Sequence, residues 1–276
     1  MIHKLRSFVR NTGLARVISP WVSLWENWRL SKYGKLKAKL ISPDTAEILY
    51  GDGELLTIGP PSYYAHKVCS KHELPTLVAC LNICSGFLRG RVAWDLGANA
   101  GIYSALLSKL VGPSGKVYAF EPVPDTFKIM SANLLAAQCT NVIPMNMALS
   151  DHDGMMPMSF DPSYNPASSL EVREGQPTID VRVASGDRLV ESGECQVPVM
   201  LKIDVEGHEL KALRGMKNIL ARPECRGLVC EIHFSILASS GESDAAGKVE
   251  KLLREAGFEH CCFISRSHLM ATKDPI

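Results

Sequence analysis

The stretch Ala93-Trp94-Asp95-Leu96-Gly97-Ala98-Asn99-Ala100-Gly101 decides the fold of this 276-residue chain. It begins in a short apolar strand that ends at the acid Asp95, and a turn with Gly97 and Gly101 around Asn99 follows directly. Glycines in such a turn let the backbone come close to a bound nucleotide. The stretch therefore predicts the strand-to-helix turn at which a nucleotide-type cofactor binds.

A second apolar strand, Val117-Tyr118-Ala119-Phe120, ends in the acid Glu121, twenty residues after Gly101. In a doubly wound sheet, an acid at the end of the second strand accepts the hydroxyls of a ribose. The order of strand, glycine turn, helix, strand and acid therefore predicts a site for a cofactor that contains a nucleoside.

The glycine spacing and Asp95 indicate which cofactor binds. A dinucleotide turn reads Gly-x-Gly-x-x-Gly, whereas residues 97–102 read Gly-Ala-Asn-Ala-Gly-Ile and lack the second and third glycines. A diphosphate needs free backbone N–H groups at a helix N-terminus, and the Asp95 carboxylate would repel it. The same carboxylate suits the amino group and the sulfonium of S-adenosylmethionine (SAM). A buried, hydrogen-bonded Asp95 in an ordinary turn is the alternative, and the position of Glu121 favours the cofactor.

The composition is that of a soluble globular enzyme, with 46% hydrophobic and 21% charged residues. Residues 1–40 carry nine Lys or Arg and one acid, so residues 41–276 carry 21 basic against 28 acidic side chains. An acidic body argues against nucleic acid as the main partner.

Nine cysteines are scattered without a metal-ligand spacing, and several lie in apolar runs, among them Cys80, Cys84 and Cys230. This pattern is typical of free thiols in a reducing compartment. The N-terminus lacks the apolar core and cleavage site of a signal peptide, and the longest apolar run, residues 74–88, is too short to span a bilayer. We therefore expect a cytoplasmic protein.

Residues 1–40 are a basic appendage in which Trp21, Trp25 and Trp28 recur at near-helical spacing. One interpretation is an interfacial helix that makes peripheral contact with an anionic membrane. The other, which we favour, is a segment that packs its tryptophans on the catalytic domain or on a second subunit. The oligomeric state leaves no signal in the sequence.

The rest of the chain divides into two parts. Residues 41–90 are predicted as a β-hairpin with a covering helix over residues 72–88, and strands alternate with helices through residues 91–276. This alternation predicts an α/β fold with a doubly wound, mostly parallel seven-stranded sheet that an antiparallel hairpin over residues 258–272 closes.

Three further expectations concern the second half of the chain. Residues 148–151 are expected to close the third strand, and one continuous helix is expected over residues 209–220. Residues 155–183 are rich in turn residues and are predicted as an insertion or lid.

Candidate catalytic residues follow the fourth and fifth predicted strands. Asp204 and Glu206 come after the fourth, and Glu231 and His233 close the fifth. Because the carboxyl ends of parallel strands meet at one edge of the sheet, these four side chains are expected to lie together. His233 has the pKa best matched to a general base near neutral pH. A divalent cation held by the same four residues, and a purely structural His233, are the alternatives.

Three neighbours of these residues are expected to have lesser roles. Lys202 is expected to neutralise Glu206 or Glu231, Glu209 to favour the N-terminus of the following helix, and His208 to be solvated.

Five motifs in order resemble those of the FkbM-type SAM-dependent methyltransferases, which have a class I, Rossmann-like fold. They are Asp95–Gly101, Phe120-Glu121-Pro122, Ala148–Asp151, Leu201–Gly207 with Glu209, and Glu231-Ile232-His233. The glycine loop occurs in many methyltransferases, whereas the Leu201–Gly207 segment with Glu209 is much more specific. The resemblance covers roughly residues 70–265.

The resemblance implies a SAM-dependent O-methyltransferase that acts on a hydroxyl of a sugar, a polyketide or another small metabolite. The cofactor-binding residues suggested by the resemblance and the residue chemistry together are Asp95, Gly97, Ala98, Asn99, Gly101, Glu121, Pro122, Met147 and Ala148. Two other classes stay open at this point: an NAD-type Rossmann oxidoreductase, which the missing glycines disfavour, and a non-catalytic domain that keeps the fold for binding a partner.

Overall fold

The computed structural model describes residues 37–50, 54–69, 87–159, 177–242 and 244–275. The basic appendage up to residue 36, the covering helix predicted over residues 72–88, except its last two residues, and the middle of the predicted lid lie outside the described residues. Among the described helices, none combines the length and the hydropathy that crossing a membrane requires.

The described structure begins with an antiparallel three-stranded sheet and a short helix, which we call the N-terminal module. Its elements are β1 (Lys37–Ser42), β2 (Thr45–Tyr50), β3 (Glu54–Ile58) and α1 (Ser62–Val68). The predicted hairpin therefore gains a third strand, because β3 pairs antiparallel with β2. Ala46, Ile48, Ile58 and Tyr64 of this module are buried in one core with the helix that follows the glycine turn.

Ten further strands and seven further helices follow in the described residues. The strands are β4 (Val92–Leu96), β5 (Lys116–Phe120), β6 (Val142–Met145), β7 (Ala148–Leu149), β8 (Gly154–Ser159), β9 (Thr178–Ala184), β10 (Met200–Ile203), β11 (Gly227–Glu231), β12 (His260–Phe263) and β13 (His268–Thr272). The helices are α2 (Ile102–Val111), α3 (Pro124–Ala136), α4 (Gly186–Glu191), α5 (Glu209–Arg214), α6 (Lys217–Ala221), α7 (Phe234–Ser239) and α8 (Ala245–Glu255).

The central sheet has seven strands in the order β6-β5-β4-β10-β11-β13-β12. All of its strands run parallel except β13, which is antiparallel to both neighbours. The chain builds β4, β5 and β6 outward in one direction and then crosses to β10 on the other side of β4. This topology confirms the predicted class I fold, with its mostly parallel seven-stranded sheet and closing antiparallel hairpin. Ligands bind at the carboxyl edge where such an order reverses, here between β4 and β10.

Side chains of the central strands fill a core on each face of the sheet. Trp94 and Phe120 lie on one face with ring centroids 5.3 Å apart, in the same cluster as Leu201. Ala93 and Val117 lie on the other face, in the core that α2 and the N-terminal module share. Burial on both faces explains why these strands read as continuous apolar runs rather than as alternating ones.

The prediction that residues 148–151 close the third strand is wrong. The third strand of the sheet, β6, ends at Met145, and Asn146 then donates to the carbonyl oxygens of Glu121 and Pro122 at 2.9 and 3.0 Å. These hydrogen bonds turn the chain away from the central sheet. The short strand β7 instead pairs parallel with β9, in a separate sheet of order β7-β9-β8.

The prediction of a single helix over residues 209–220 is also wrong, because the chain forms two helices, α5 and α6, with Gly215 between them. A Cβ at Gly215 would lie 1.8 Å from the carbonyl oxygen of Ser150. The Gly215 carbonyl oxygen accepts from the Asp187 N–H at 2.9 Å and from the Ser185 hydroxyl at 2.8 Å. These contacts with the loop after β7 and the start of α4 fix the break.

We expect Gly215→Ala to lower the free energy of unfolding by about 2 kcal/mol or more, because the added methyl group collides with backbone rather than with a movable side chain. Denaturant unfolding measures the change. The matched control is Gly59→Ala, where no atom lies within 4 Å of the built Cβ and the expected change is below about 1 kcal/mol. Equal unfolding midpoints for the two variants would contradict this explanation of the break.

Candidate functional site

An open cleft of about 630 Å³ lies at the carboxyl edge of the central sheet, at the reversal point between β4 and β10. The described lining residues are Leu96, Gly97, Asn99, Phe120, Glu121, Pro122, Thr126, Ala148, Leu149, Met158, Asp204, Val205 and Glu206. The charged members of this lining are all acids, so the cleft favours a cationic ligand.

The loop from Gly97 to Gly101 has left-handed backbone at Gly97, Asn99 and Gly101, with φ of 74°, 49° and 90°. The N–H groups of Gly97 and Ala98 donate to the Phe120 carbonyl oxygen at 3.1 and 2.9 Å, which attaches the loop to the end of β5. Hydrogen bonds to the end of β5 therefore fix the position of the loop beside the cleft.

The structure gives the two glycines a physical reason of their own, beside the expected approach of a ligand. A Cβ at Gly97 would lie 1.8 Å from the Asp204 carbonyl oxygen, and one at Gly101 would lie 2.7 Å from the Tyr64 hydroxyl. Protein atoms therefore exclude a side chain at both positions. Gly97 lines the cleft, whereas Ala98 and Gly101 are buried and lie outside the described lining.

Glu121 lies in the wall of the cleft with its carboxylate largely buried. One oxygen accepts from the Asn99 N–H at 3.0 Å, and the other accepts from the Val123 N–H at 3.0 Å. Burial raises the pKa of Glu121 to about 7, although these two backbone hydrogen bonds favour the charged form. The carboxylate is thus fixed in direction and retains lone pairs for hydroxyl donors.

Asp95 lies beneath the loop rather than in the cleft lining, and it is fully buried. It accepts a hydrogen bond from the Ser104 hydroxyl at 2.6 Å, and its other oxygen lies 3.7 Å from the Lys202 ammonium. Burial raises the pKa of Asp95, and the Lys202 ammonium and the Ser104 hydroxyl oppose that rise. The described geometry therefore makes Asp95 a support of the loop.

Lys202 forms ion pairs with two acids that were not expected, and its charge also contributes to lowering the pKa of Glu231, one of the two that were. Its ammonium lies 3.3 Å from Asp204 as well as near Asp95, and 4.8 Å from the centre of the Tyr103 ring. The reason is geometric: side chains in a strand alternate between faces, and Lys202 points to the face on which its neighbour in register, Asp95, also lies. Lys202 thus joins the tips of β4 and β10.

The remaining predicted cofactor residues lie on or behind one wall of the cleft. Pro122 and Ala148 line it, whereas the Met147 side chain is buried in the core cluster that contains Trp94. Leu149 also lines the cleft, as expected from its place in the segment 147–149, where the sequence put the adenine. Sequence reasoning missed five lining residues, which are Leu96, Phe120, Thr126, Met158 and Val205. Leu96, Phe120 and Val205 are direct neighbours of predicted residues, which is the signal that could have found them.

Three of the four predicted catalytic residues come together at the cleft: Asp204 and Glu206 line it, and His233 lies beside them, outside the described lining. His233 Nε2 lies 3.4 Å from a carboxylate oxygen of Glu206 and 3.9 Å from one of Asp204. Glu206 has φ of 48°, and Gly207 follows with φ of 96°. This left-handed turn after β10 carries the Glu206 carboxylate back towards the edge of the sheet.

Glu209 contacts His233 through Nδ1, the ring nitrogen that does not face Asp204 and Glu206. Its carboxylate accepts from the Gly207 N–H at 2.9 Å, and the same oxygen lies 2.7 Å from His233 Nδ1. Burial alone would lower the pKa of His233, but the carboxylates of Glu209, Glu206 and Asp204 raise it to about 9. Sequence reasoning assigned Glu209 only to the helix N-terminus, although its position two residues after the Asp-Val-Glu-Gly segment marked it as part of the motif.

Glu231, the fourth predicted catalytic residue, is engaged in a separate pair. It lies opposite His268 in the register of β11 and β13, and its carboxylate is 3.1 Å from His268 Nε2. Although burial opposes the change, the His268 side chain contributes most to lowering the pKa of Glu231 to about 2. Glu231 therefore lies beside the cluster without contributing to it directly.

The expectation that His208 is solvated is wrong. His208 is fully buried, and its Nε2 lies 3.0 Å from the hydroxyl oxygen of Ser150. This contact joins the turn after β10 to the end of β7, so His208 belongs to the packing of the cleft's base.

The cluster of Asp204, Glu206 and His233 has the geometry to hold a cation as well as a proton. Each residue offers one ligand atom, and these atoms lie within 4.8 Å of one another. Two carboxylates and an imidazole suit several divalent metals. The arrangement can therefore act as a general base supported by acids, or as a metal site.

The sequence matches the family described as Methyltransferase FkbM domain over residues 95–260. It is 36% identical over 172 residues to the hexuronic acid methyltransferase AglP of Haloferax volcanii, covering 60% of this chain and 68% of that protein. It is 27% identical over 197 residues to the methyltransferase sdnD of Sordaria araneosa, covering 60% and 72%. Among solved structures, Aeropyrum pernix fibrillarin with bound S-adenosyl-L-methionine aligns at 15% identity with a TM-score of 0.44, covering 86% of this chain and 99% of that one.

Proposed function

Since the chain belongs to the FkbM methyltransferase family and is a SAM-dependent methyltransferase, we propose that it methylates a hydroxyl of a sugar or of another small metabolite. The observation that carries this proposal is the cleft whose lining brings Glu121 together with Asp204 and Glu206 at one edge of the sheet, with His233 clustered beside these last two acids. The name of the Haloferax relative, which acts on hexuronic acid, supports a sugar. The family match and the acidic lining favour methyl transfer over an NAD-type oxidoreductase and over a non-catalytic domain.

We assign the two ends of SAM to different parts of the cleft. The methionine end lies along the Gly97–Gly101 loop, and the ribose hydroxyls donate to Glu121. The adenine lies beside Pro122 and Ala148. Asp95, which is buried beneath the loop, supports the SAM site indirectly, because it holds the side chains of Ser104 and Lys202 in place.

When bound, SAM supplies a methyl group on a positively charged sulfonium. The protein's part is to orient the acceptor hydroxyl and to receive its proton, because an alcohol is a poor nucleophile until its proton is leaving. The acidic lining at Glu121, Asp204 and Glu206 offers favourable charge for the cationic cofactor. We assign the acceptor to the part of the cleft next to Asp204 and Glu206.

His233 is the proposed general base. Glu209 fixes the orientation of the imidazole through Nδ1, so that Nε2 faces Asp204 and Glu206 at the cleft. Because its pKa is raised to about 9, the His233 imidazole is mostly protonated at neutral pH in the protein without SAM. A cationic cofactor nearby opposes that protonation and lowers the pKa towards the working range of a base.

We also infer a cytoplasmic location. The described cysteines are free thiols and six of the seven are buried, which fits a reducing compartment. Peripheral membrane contact through the basic residues 1–40 stays a hypothesis that rests on their charge and tryptophans.

We expect Glu121→Ala to weaken SAM binding at least about tenfold in titration calorimetry, because each charge-assisted hydrogen bond to the ribose contributes about 1.5–3 kcal/mol. Asp125→Ala, which removes an exposed acid from the first turn of α3, is the matched control and leaves the affinity unchanged. Unchanged affinity in Glu121→Ala would overturn the assignment.

The same assignment predicts a pH dependence of SAM binding. The charged form of Glu121 is the better acceptor for the ribose hydroxyls, and its pKa is about 7. The dissociation constant therefore rises as the pH falls from about 8 to 6, and Glu121→Gln removes this pH dependence. A parallel pH profile in the two proteins would point to another titrating group.

We expect the rate constant kcat/KM for the acceptor to rise with pH from neutral towards 9, because His233 must lose its proton before it can act as a base. His233→Asn lowers kcat by a factor of about 10²–10⁴. Glu209→Gln moves the profile to lower pH, since it removes a carboxylate that stabilises the imidazolium. His260→Asn, on β12, is the control, and a wild-type profile in His233→Asn would refute the base.

Dialysis against a chelator separates the base from a metal site at the same three residues. If His233 acts as the base, methyl transfer continues at the full rate after the chelator has been removed. Loss of activity that added Mg²⁺ or Mn²⁺ restores would instead place a catalytic cation between Asp204, Glu206 and His233.

A further inference from the structure

The N-terminal module lies outside residues 95–260, which match the family, and yet it reaches the cofactor loop. The contact is made by Tyr64 in α1, whose side chain is fully buried. Its hydroxyl donates to the carbonyl oxygen of Ala100 at 2.6 Å. A residue outside the matched domain therefore bonds directly to the backbone of the proposed SAM loop.

A second donor binds the same carbonyl. The side-chain amide of Asn133, in α3, donates to the Ala100 oxygen at 3.0 Å. Two separate elements, α1 and α3, thus fix the direction of one peptide group. The Tyr64 hydroxyl also occupies the space beside Gly101, where a Cβ would lie 2.7 Å away.

The orientation of the Ala100 peptide matters because of what lies on either side of it. Gly101 caps α2 in the left-handed conformation, and its N–H turns back to the Ala98 carbonyl at 2.8 Å. On the other side, the Asn99 N–H donates to Glu121, the proposed ribose acceptor. The loop is therefore clamped between Glu121 on the cleft side and Tyr64 with Asn133 on the outer side.

We propose that Tyr64 is a positioning residue for SAM, and that the N-terminal module serves as a brace that holds the cofactor loop in its binding conformation. The inference rests on the proposed placement of SAM along this loop. Without the phenolic hydroxyl, the Ala100 peptide has one fixed donor instead of two, and the left-handed residues of the loop can relax. A relaxed loop must be ordered again on binding, which weakens affinity.

The test compares Tyr64→Phe with Tyr63→Phe. Both variants lose one phenolic oxygen from the same helix, but Tyr63 is about half exposed, with 47% relative exposure, and contacts Tyr64 through its ring, which Tyr63→Phe retains. We expect Tyr64→Phe to raise the calorimetric dissociation constant for SAM about fivefold or more, which is the loss of one typical hydrogen bond. Tyr63→Phe binds SAM like the wild type.

Two readouts distinguish positioning from general destabilisation. The KM for SAM rises in Tyr64→Phe while the KM for the acceptor stays constant, and amide hydrogen exchange speeds up in residues 97–101 but not in the strands of the central sheet. Equal SAM affinity in folded Tyr64→Phe and wild type would overturn the brace. If Tyr64→Phe does not fold, Asn133→Ala removes the other donor to the same carbonyl and decides by the same criteria.

Failure of the brace and failure of the SAM placement give different results. Suppose that the wild-type protein binds SAM, that Glu121→Ala weakens this binding, and that Tyr64→Phe leaves it unchanged. In that case only the brace is wrong. If Glu121→Ala and Tyr64→Phe both leave the affinity unchanged, the loop is not the SAM site and both proposals fall.

Discussion

A buried lysine between two carboxylates connects the two halves of the candidate site. Lys202 leaves β10 with its ammonium near Asp95 at the end of β4 and Asp204 at the end of its own strand. These strands meet where the sheet order reverses, so the ion pairs join the cofactor side of the cleft to its catalytic side. Removing one partner of a buried ion pair leaves an uncompensated charge and typically costs about 3–5 kcal/mol. The loop above Asp95 and the cluster around Asp204 therefore depend on one shared interaction.

The sequence predicted the parts of the site that local patterns encode. Apolar strands that end in acids predicted the parallel sheet, Glu121 in the cleft wall, and the meeting of Asp204, Glu206 and His233. It did not predict the partners of Lys202, because strand register, which long-range pairing sets, decides which acid an inward-facing lysine meets. The Glu209 pairing with His233 was missed because it joins the start of α5 to the residue before α7, 24 positions apart in the chain.

Two fold predictions failed because local propensity was overridden by distant contacts. The break at Gly215 depends on the Ser150 carbonyl, and the turn after β6 depends on Asn146 reaching back to the end of β5. The charge argument for SAM rested on Asp95, a residue that the structure buries beneath the loop. Asp95 was expected to meet the cationic cofactor, whereas Glu121, Asp204 and Glu206 are the acids that line the cleft.

The small sheet of β7, β9 and β8 has a consequence for how such an enzyme can diversify. β8 and β9 pair in register from Gly154 with Val183 to Ser159 with Thr178, so the two ends of the intervening segment stay side by side. The entropy of closing a loop grows only with the logarithm of its length. Insertions and deletions between Ser159 and Thr178 therefore cost little stability, and Met158 at the start of this segment lines the cleft. The length of this segment can therefore change beside the cleft while the central sheet stays unchanged.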